Sequence, residues 1–105
     1  MSQVLEVQPP VVITLNGDCG IANAEELRAK LQAAIAADTV VLDLSNATSV
    51  DSTALGMFVQ LQKAIHARTG ATIKIVTKNQ QLRRVLAFTG LDRIFKVGDS
   101  IAFTR

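Results

Sequence analysis

The sequence predicts an α/β layered domain: a mixed, mostly parallel sheet of about five strands, with an antiparallel N-terminal edge and helices packed on it. Three observations predict it. Short β-like runs alternate with helix-periodic segments in the order β-β-α-β-α-β-α-β. One of those runs, Thr39–Leu44, is almost continuously apolar and rich in β-branched residues, as a strand covered on both faces requires. Gly70 and Gly90 stand where helical periodicity stops. The 105 residues are read as one domain, 1–105. That length supplies one core and is too short for two independent ones.

The elements follow in order. Gln3–Val7 and Val11–Leu15 are β-like, and Pro9 and Pro10 between them block continuous pairing, so a bend joins two strands. Gly17 and Gly20 punctuate the next turn. Asn23 is placed to cap a helix, with Glu26 three residues on as a capping box requires. Leu27, Leu31, Ala34 and Ile35 give that helix one apolar face, and it fades near Ala37-Asp38. After the strand Thr39–Leu44, the polar stretch Ser45–Ser49 reads as a loop. A second helix starts at Asp51-Ser52-Thr53 and runs to about Thr69, burying Leu55, Phe58, Val59, Gln62 and Ile65. Thr72–Val76 alternates as a strand. Asn79 caps a third helix with Leu82, Val85, Leu86 and Thr89 on one face. Arg93–Val97 is the last strand, and Gly98–Arg105 fits a short helix or a frayed end equally well.

Composition removes several function classes. The formal net charge of +2 is too small to argue for nucleic-acid or membrane binding. With no Trp, no Tyr and four Phe, the chain offers no stacking platform for single-stranded nucleic acid. A single cysteine, Cys19, permits neither an intrachain disulfide nor a cysteine-rich zinc site. It is expected to be a small, partly buried thiol. No run approaches the ~20 apolar residues of a membrane span, and Met1–Gln8 lacks the pattern of a signal peptide. The expectation is a cytoplasmic protein without cofactor or metal.

Functional groups in α/β sheets gather at the carboxyl ends of strands. Asp51-Ser52-Thr53-Ala54-Leu55-Gly56 lies there, where a strand hands over to a helix. Ser52 falls at or beside the N-cap, where unpaired N–H groups and the helix dipole favour an anion. Local sequence leaves two readings: a serine that merely caps, or one that accepts phosphate, adding about −1.5 to −2 charges. Asp43 and Asp18 read as solvated carboxylates at strand ends; a receiver-type acceptor needs an acidic pair after the first strand, where Asp18 stands alone. His66 lies roughly 20 Å along the helix from Ser52, so it is no base for a serine nucleophile. Lys74, Lys78, Arg83, Arg84, Arg93 and Lys96 make the C-terminal half basic, either as a solvated face or as a docking patch for an acidic partner.

Val40-Val-Leu-Asp-Leu-Ser45 followed by Val50-Asp-Ser-Thr-Ala-Leu-Gly56 resembles the signature of the STAS domain, and specifically of the anti-sigma-factor antagonists, whose motif reads Asp-Ser-Ser/Thr-Gly-Leu-Gly after a buried strand. Leu15-Asn-Gly-Asp18 and Thr89-Gly-Leu-Asp-Arg-Ile-Phe95 are similar to two further family segments, so the resemblance runs along the chain. It implies that Ser52 is the phosphorylated residue and that Asp18, Asp51, Ser52, Thr53, Ala54, Leu55 and Gly56 form the partner-binding switch loop. It implies a phosphorylation-controlled partner switch, not an enzyme: the unphosphorylated protein binds an anti-sigma serine kinase and frees a sigma factor. A serine phosphatase of the metal-dependent class then reverses the modification. The protein is expected to be a monomer or weak dimer. The alternative within the resemblance is a structural or accessory STAS subunit of a stressosome-like scaffold or a lipid-transport complex. The chain departs from the pattern at Gly20, where the family carries a second acidic residue, and at Ala54, where it carries Gly. The short tail after Val97 is expected to shorten or remove the family's C-terminal helix.

Overall fold

Alternation along β1, Val11–Cys19, gives the strand one apolar side: Ile13 and Leu15 are buried while Val12 and Thr14 face out. The computed structural model describes residues 10–99. Across those residues, β1 is followed by α1 (Ala24–Ala33), β2 (Val40–Val50), α2 (Ser52–Thr69), β3 (Lys74–Val76), α3 (Gln80–Phe88) and β4 (Lys96–Gly98). The described sheet has the order β1-β2-β3-β4, and every neighbouring pair is parallel. Each crossover steps one strand in the same direction, so right-handed connections stack the three helices on one face. Ile13, Leu15, Val40, Leu42, Leu44, Ile73 and Ile75 from that face join Leu27, Leu31, Phe58, Ile65, Leu82 and Leu86 from the helices in one core. The expected strand Gln3–Val7, the antiparallel edge it would form and the tail beyond Asp99 lie outside the described residues.

Several boundaries differ from the sequence reading. The stretch Ser45–Ser49 is not a loop. It continues β2 to Val50, pairing with β1 through Asn16↔Asn46, Gly17↔Ala47, Asp18↔Ser49 and Cys19↔Val50. Its polarity misleads because this half of the β1–β2 ribbon is held by backbone pairing and Ser45, Asn46, Thr48 and Ser49 are all exposed. Asp43 is consequently inside a strand rather than at its end, half-buried, and its Oδ1 accepts from Ser45 N at 3.0 Å. Gly17 lies in β1, not in a turn; its φ is 68°, and next to it the register shifts by one residue, with Thr48 of β2 left without a register partner on β1. Arg93 belongs to a short 3₁₀ turn, Leu91–Arg93, ahead of β4.

The helices are shorter or rotated relative to expectation. Helix α1 ends at Ala33, leaving Ile35 42% exposed. Arg68 of α2 closes that end, donating to Ile35 O at 3.0 Å, to Ala37 O and to Asp38 Oδ1 at 3.3 Å, which ties down the turn that follows α1. In α2 the buried face is Ala54, Phe58, Leu61, Gln62 and Ile65, with Leu55 and Val59 only half-buried. Buried Gln62 is bonded at both ends of its amide: Nε2 donates to Ala71 O at 3.1 Å and Oε1 accepts from Ile73 N at 2.7 Å, tying α2 to the approach of β3. In α3, Leu82 and Leu86 are buried, whereas Val85 and Thr89 face solvent.

Candidate functional site

The parallel strands bring the ends of β1 and β2 together, and α1 and α2 both start from that end. Asp51 joins β2 to α2. Its backbone is extended, and its N–H donates to Cys19 O at 3.1 Å, so the junction is pinned to the end of β1. Its side chain is the cap: Oδ1 accepts from Ala54 N at 3.0 Å, and Asp51 O accepts from Leu55 N at 3.0 Å. The second carboxylate oxygen, Oδ2, accepts from Ile21 N at 2.9 Å, across thirty residues of sequence. One carboxylate thus caps α2 and straps down the turn that opens α1. The Ile21 N–H, then the Ala54 N–H, hold the Asp51 carboxyl below its ordinary pKa.

Gly20 makes the strap geometrically possible. A Cβ built on Gly20 would lie 2.0 Å from the Asp51 carboxyl carbon, so any side chain there displaces the cap. Asn23 does not form the expected capping box with Glu26. Its Oδ1 accepts from Gly20 N at 3.0 Å and its Nδ2 donates to Asp18 O at 2.8 Å, and no side-chain cap bond forms at α1. Asp18 is exposed and its Oδ1 accepts from Ser49 Oγ at 2.8 Å and Thr48 Oγ1 at 3.0 Å. Those hydroxyls, Ser49 first, lower its pKa. Cys19, between these residues, is buried rather than partly exposed, and burial raises its thiol pKa, which makes it a poor nucleophile.

Ser52 is the first residue of α2 and is exposed. The cap role sits one residue earlier, on Asp51. Thr53 and Leu55 are half-buried, Ala54 is fully buried, and Gly56 is exposed one turn further along with open space where a side chain would project. The arrangement presents one primary hydroxyl to solvent beside a carboxylate whose own acceptors are engaged with the scaffold. His66 is exposed in the last turn of α2, fourteen residues on, or about 21 Å at the helical rise. Around the hydroxyl lies what the sequence reading missed: Ile21, 77% exposed, and the Thr48–Ser49 pair bound to Asp18. A glycine followed by a large apolar residue between a strand and a helix was the available signal for the first. For the second there was none, since it depends on the register of β1 against β2.

The family model of the STAS domain matches residues 2–103. The chain belongs to the STAS domain family. Among its relatives, a protein of Thermotoga maritima named as an anti-sigma factor antagonist is 40% identical over 63 residues, 60% of this chain and 55% of that protein. The anti-sigma F factor antagonist of Lysinibacillus sphaericus is 31% identical over 84 residues, 77% of this chain and 71% of the relative. The chain spans about half the length of the Thermotoga relatives it matches. A crystal structure of the T. maritima protein superposes with a TM-score of 0.74 at 32% identity, covering 89% of this chain and 83% of the other. The STAS fold that the motif around Ser52 resembles is therefore the fold observed. No described helix is long and apolar enough to cross a membrane.

Proposed function

We propose that this STAS domain is an anti-sigma-factor antagonist controlled by phosphorylation of Ser52, a substrate and ligand rather than a catalyst. The observation that carries the reading is the exposure of the Ser52 hydroxyl on the first turn of α2, directly after Asp51 has taken the cap position. The unphosphorylated face, Asp18 with Asp51, Ser52, Thr53, Leu55 and Gly56, docks on an anti-sigma factor that is a serine kinase; Ala54, expected in the switch loop, is instead in the core, because it lies on the inner face of α2. The kinase transfers the γ-phosphoryl of ATP to Ser52 Oγ: the O–P ester forms, the bond to ADP breaks, and the hydroxyl proton leaves. A phosphatase of the metal-dependent serine class hydrolyses the ester.

The chemistry of the first turn explains why phosphate would act at the interface and spare the fold. Asp51 already occupies the Ala54 N–H with its side chain and the Leu55 N–H with its carbonyl, so two of the first-turn donors are engaged by the fold. The phosphate then projects outward, beside the anionic Asp51. A dianion trapped in an interface without a partner costs several kcal/mol, and every 1.4 kcal/mol is tenfold in affinity. The test is incubation with the serine-kinase anti-sigma factor of the same organism and ATP, with the phosphate mapped by mass spectrometry and binding followed by calorimetry. Phosphate on Ser52, a Ser52→Ala variant that binds but is never released, and a Ser52→Asp variant with weakened binding are expected. An unmodified chain, or phosphate on another residue, overturns the reading.

A further inference from the structure

The two ends of the sheet carry opposite charge around the two most exposed large apolar side chains among the described residues. Ser52 and the start of α1 lie at the carboxyl end of the sheet, where Ile21 is 77% exposed. At that end stand Asp18, Glu25 and Glu26, all exposed, and half-buried Asp51, with Lys30 paired to Glu26 at 3.7 Å. Helix α3 leaves that same end of the sheet and runs back, so its last residue, Phe88, sits toward the amino end of β4. Phe88 is 93% exposed. With buried Leu82 and Leu86 facing the core, helical spacing puts Gln81, Arg84, Val85 and Phe88 on one outward stripe. Ile94, 40% exposed, and exposed Arg93 follow in the adjoining turn. Arg84, Arg93 and Lys96 are exposed on this side with one acid, Asp92, whereas Lys78 follows the carboxyl end of β3.

We infer that the Arg84–Phe88 face of one molecule docks on the acidic, Ile21-tipped face of a second copy, giving head-to-tail association. Charge complementarity selects this occupant: each patch carries an exposed apolar side chain, and each offers the sign of charge that the other lacks. Aromatic side chains and arginine are the residue types that anchor interfaces, which a solvated face would not need. The contact is heterologous, so each copy keeps one unused patch, and association grows with concentration instead of stopping at a symmetric dimer. Because the acidic patch and Ser52 share one end of the sheet, an associated copy and a docking partner compete for one face. That consequence rests on the functional reading above; the self-association itself does not.

Light scattering of the full chain over a concentration series tests it, at roughly 0.02 M and 0.5 M salt, where the screening lengths differ several-fold. The mean mass is expected to rise with concentration at low salt and to fall to the monomer at high salt. Phe88→Ser and Ile21→Ser, both at exposed positions, are each expected to be monomeric with unchanged circular dichroism. Mixed in equal amounts they are expected to form a dimer and no more, since each supplies the patch the other lacks. A wild-type monomer at every low-salt concentration overturns the inference. So does association that salt does not weaken, an Ile21→Ser variant that still dimerises, or a mixture that stays monomeric. Phosphate mapped to Ser52 of a strictly monomeric chain would leave the switch standing while this inference falls.

Discussion

Helices α1 and α2 start side by side from the ends of neighbouring parallel strands, and each is preceded by a residue that favours capping, Asn23 and Asp51. Only one caps. Asp51 binds the Ala54 N–H in the usual way and uses its second oxygen on Ile21 N. Asn23 turns away from its own helix to hold Gly20 N and Asp18 O, leaving α1 to begin through a 3₁₀ turn, Ile21–Asn23. The difference teaches that capping preference states what a side chain is able to bind, while the neighbouring strand decides what it does bind. A carboxylate has acceptors enough for a local and a distant donor; an amide spends its oxygen and its nitrogen on the turn.

The contrast can be broken most severely at Gly20, the contact point between the two starts. Gly20→Val forces its Cβ into the Asp51 carboxyl and expels the cap, and the cost is expected near 3 kcal/mol, the upper range for overpacking. Urea unfolding should show it as a lowered midpoint at an unchanged slope. Asn23→Ala removes two hydrogen bonds at a half-exposed position and is expected to cost about 1 kcal/mol. Asn23→Ser sharpens the comparison: if the turn contacts, rather than capping, are what Asn23 provides, serine restores little. Asp51→Asn is milder, because an amide oxygen still caps Ala54 but its nitrogen cannot accept from Ile21. The Ile21 amide is then expected to exchange faster with solvent while the amides of α2 stay protected.

Acid gives the smallest effect. The carboxyls of Asp18 and Asp51 have pKa values lowered from the ordinary 3.8 in the folded protein. Their contribution to stability is therefore complete above that value and is lost as pH falls through the lowered folded values. Unfolding midpoints should hold from neutral pH to about 5 and fall below about 4. The gap between wild type and Asp51→Asn should close over the same interval.

What the sequence disclosed follows the range of each interaction. The start of α2 was legible because Asp51-Ser52-Thr53 is a local cap signal after a local apolar run, and the core positions Leu27, Leu31, Phe58, Ile65, Leu82 and Leu86 follow from periodicity alone. The second half of β2 was not, since Ser45–Ser49 is held by backbone pairing and by polar side-chain bonds to Asp18 and carries no alternating apolar signal. Asn23 misled because its chosen partners belong to the β1 end, which periodicity does not register. Around Ser52 the chain disclosed the hydroxyl and its acidic neighbour, whereas the tie from Asp51 to Ile21 joins residues thirty apart and depends on two strands lying parallel. Gly20, read first as a missing acid, is the small residue that lets the tie form.

The bond from the Ile21 amide to Asp51 also furnishes a spectroscopic window. That proton is bound to the carboxylate of the residue before Ser52 and lies outside the helix that bears the hydroxyl. Its resonance should shift whenever charge arrives next door or Asp51 is pulled aside. Events at the serine can then be followed by nuclear magnetic resonance on an unaltered chain, with no label placed on the surface where a partner lands.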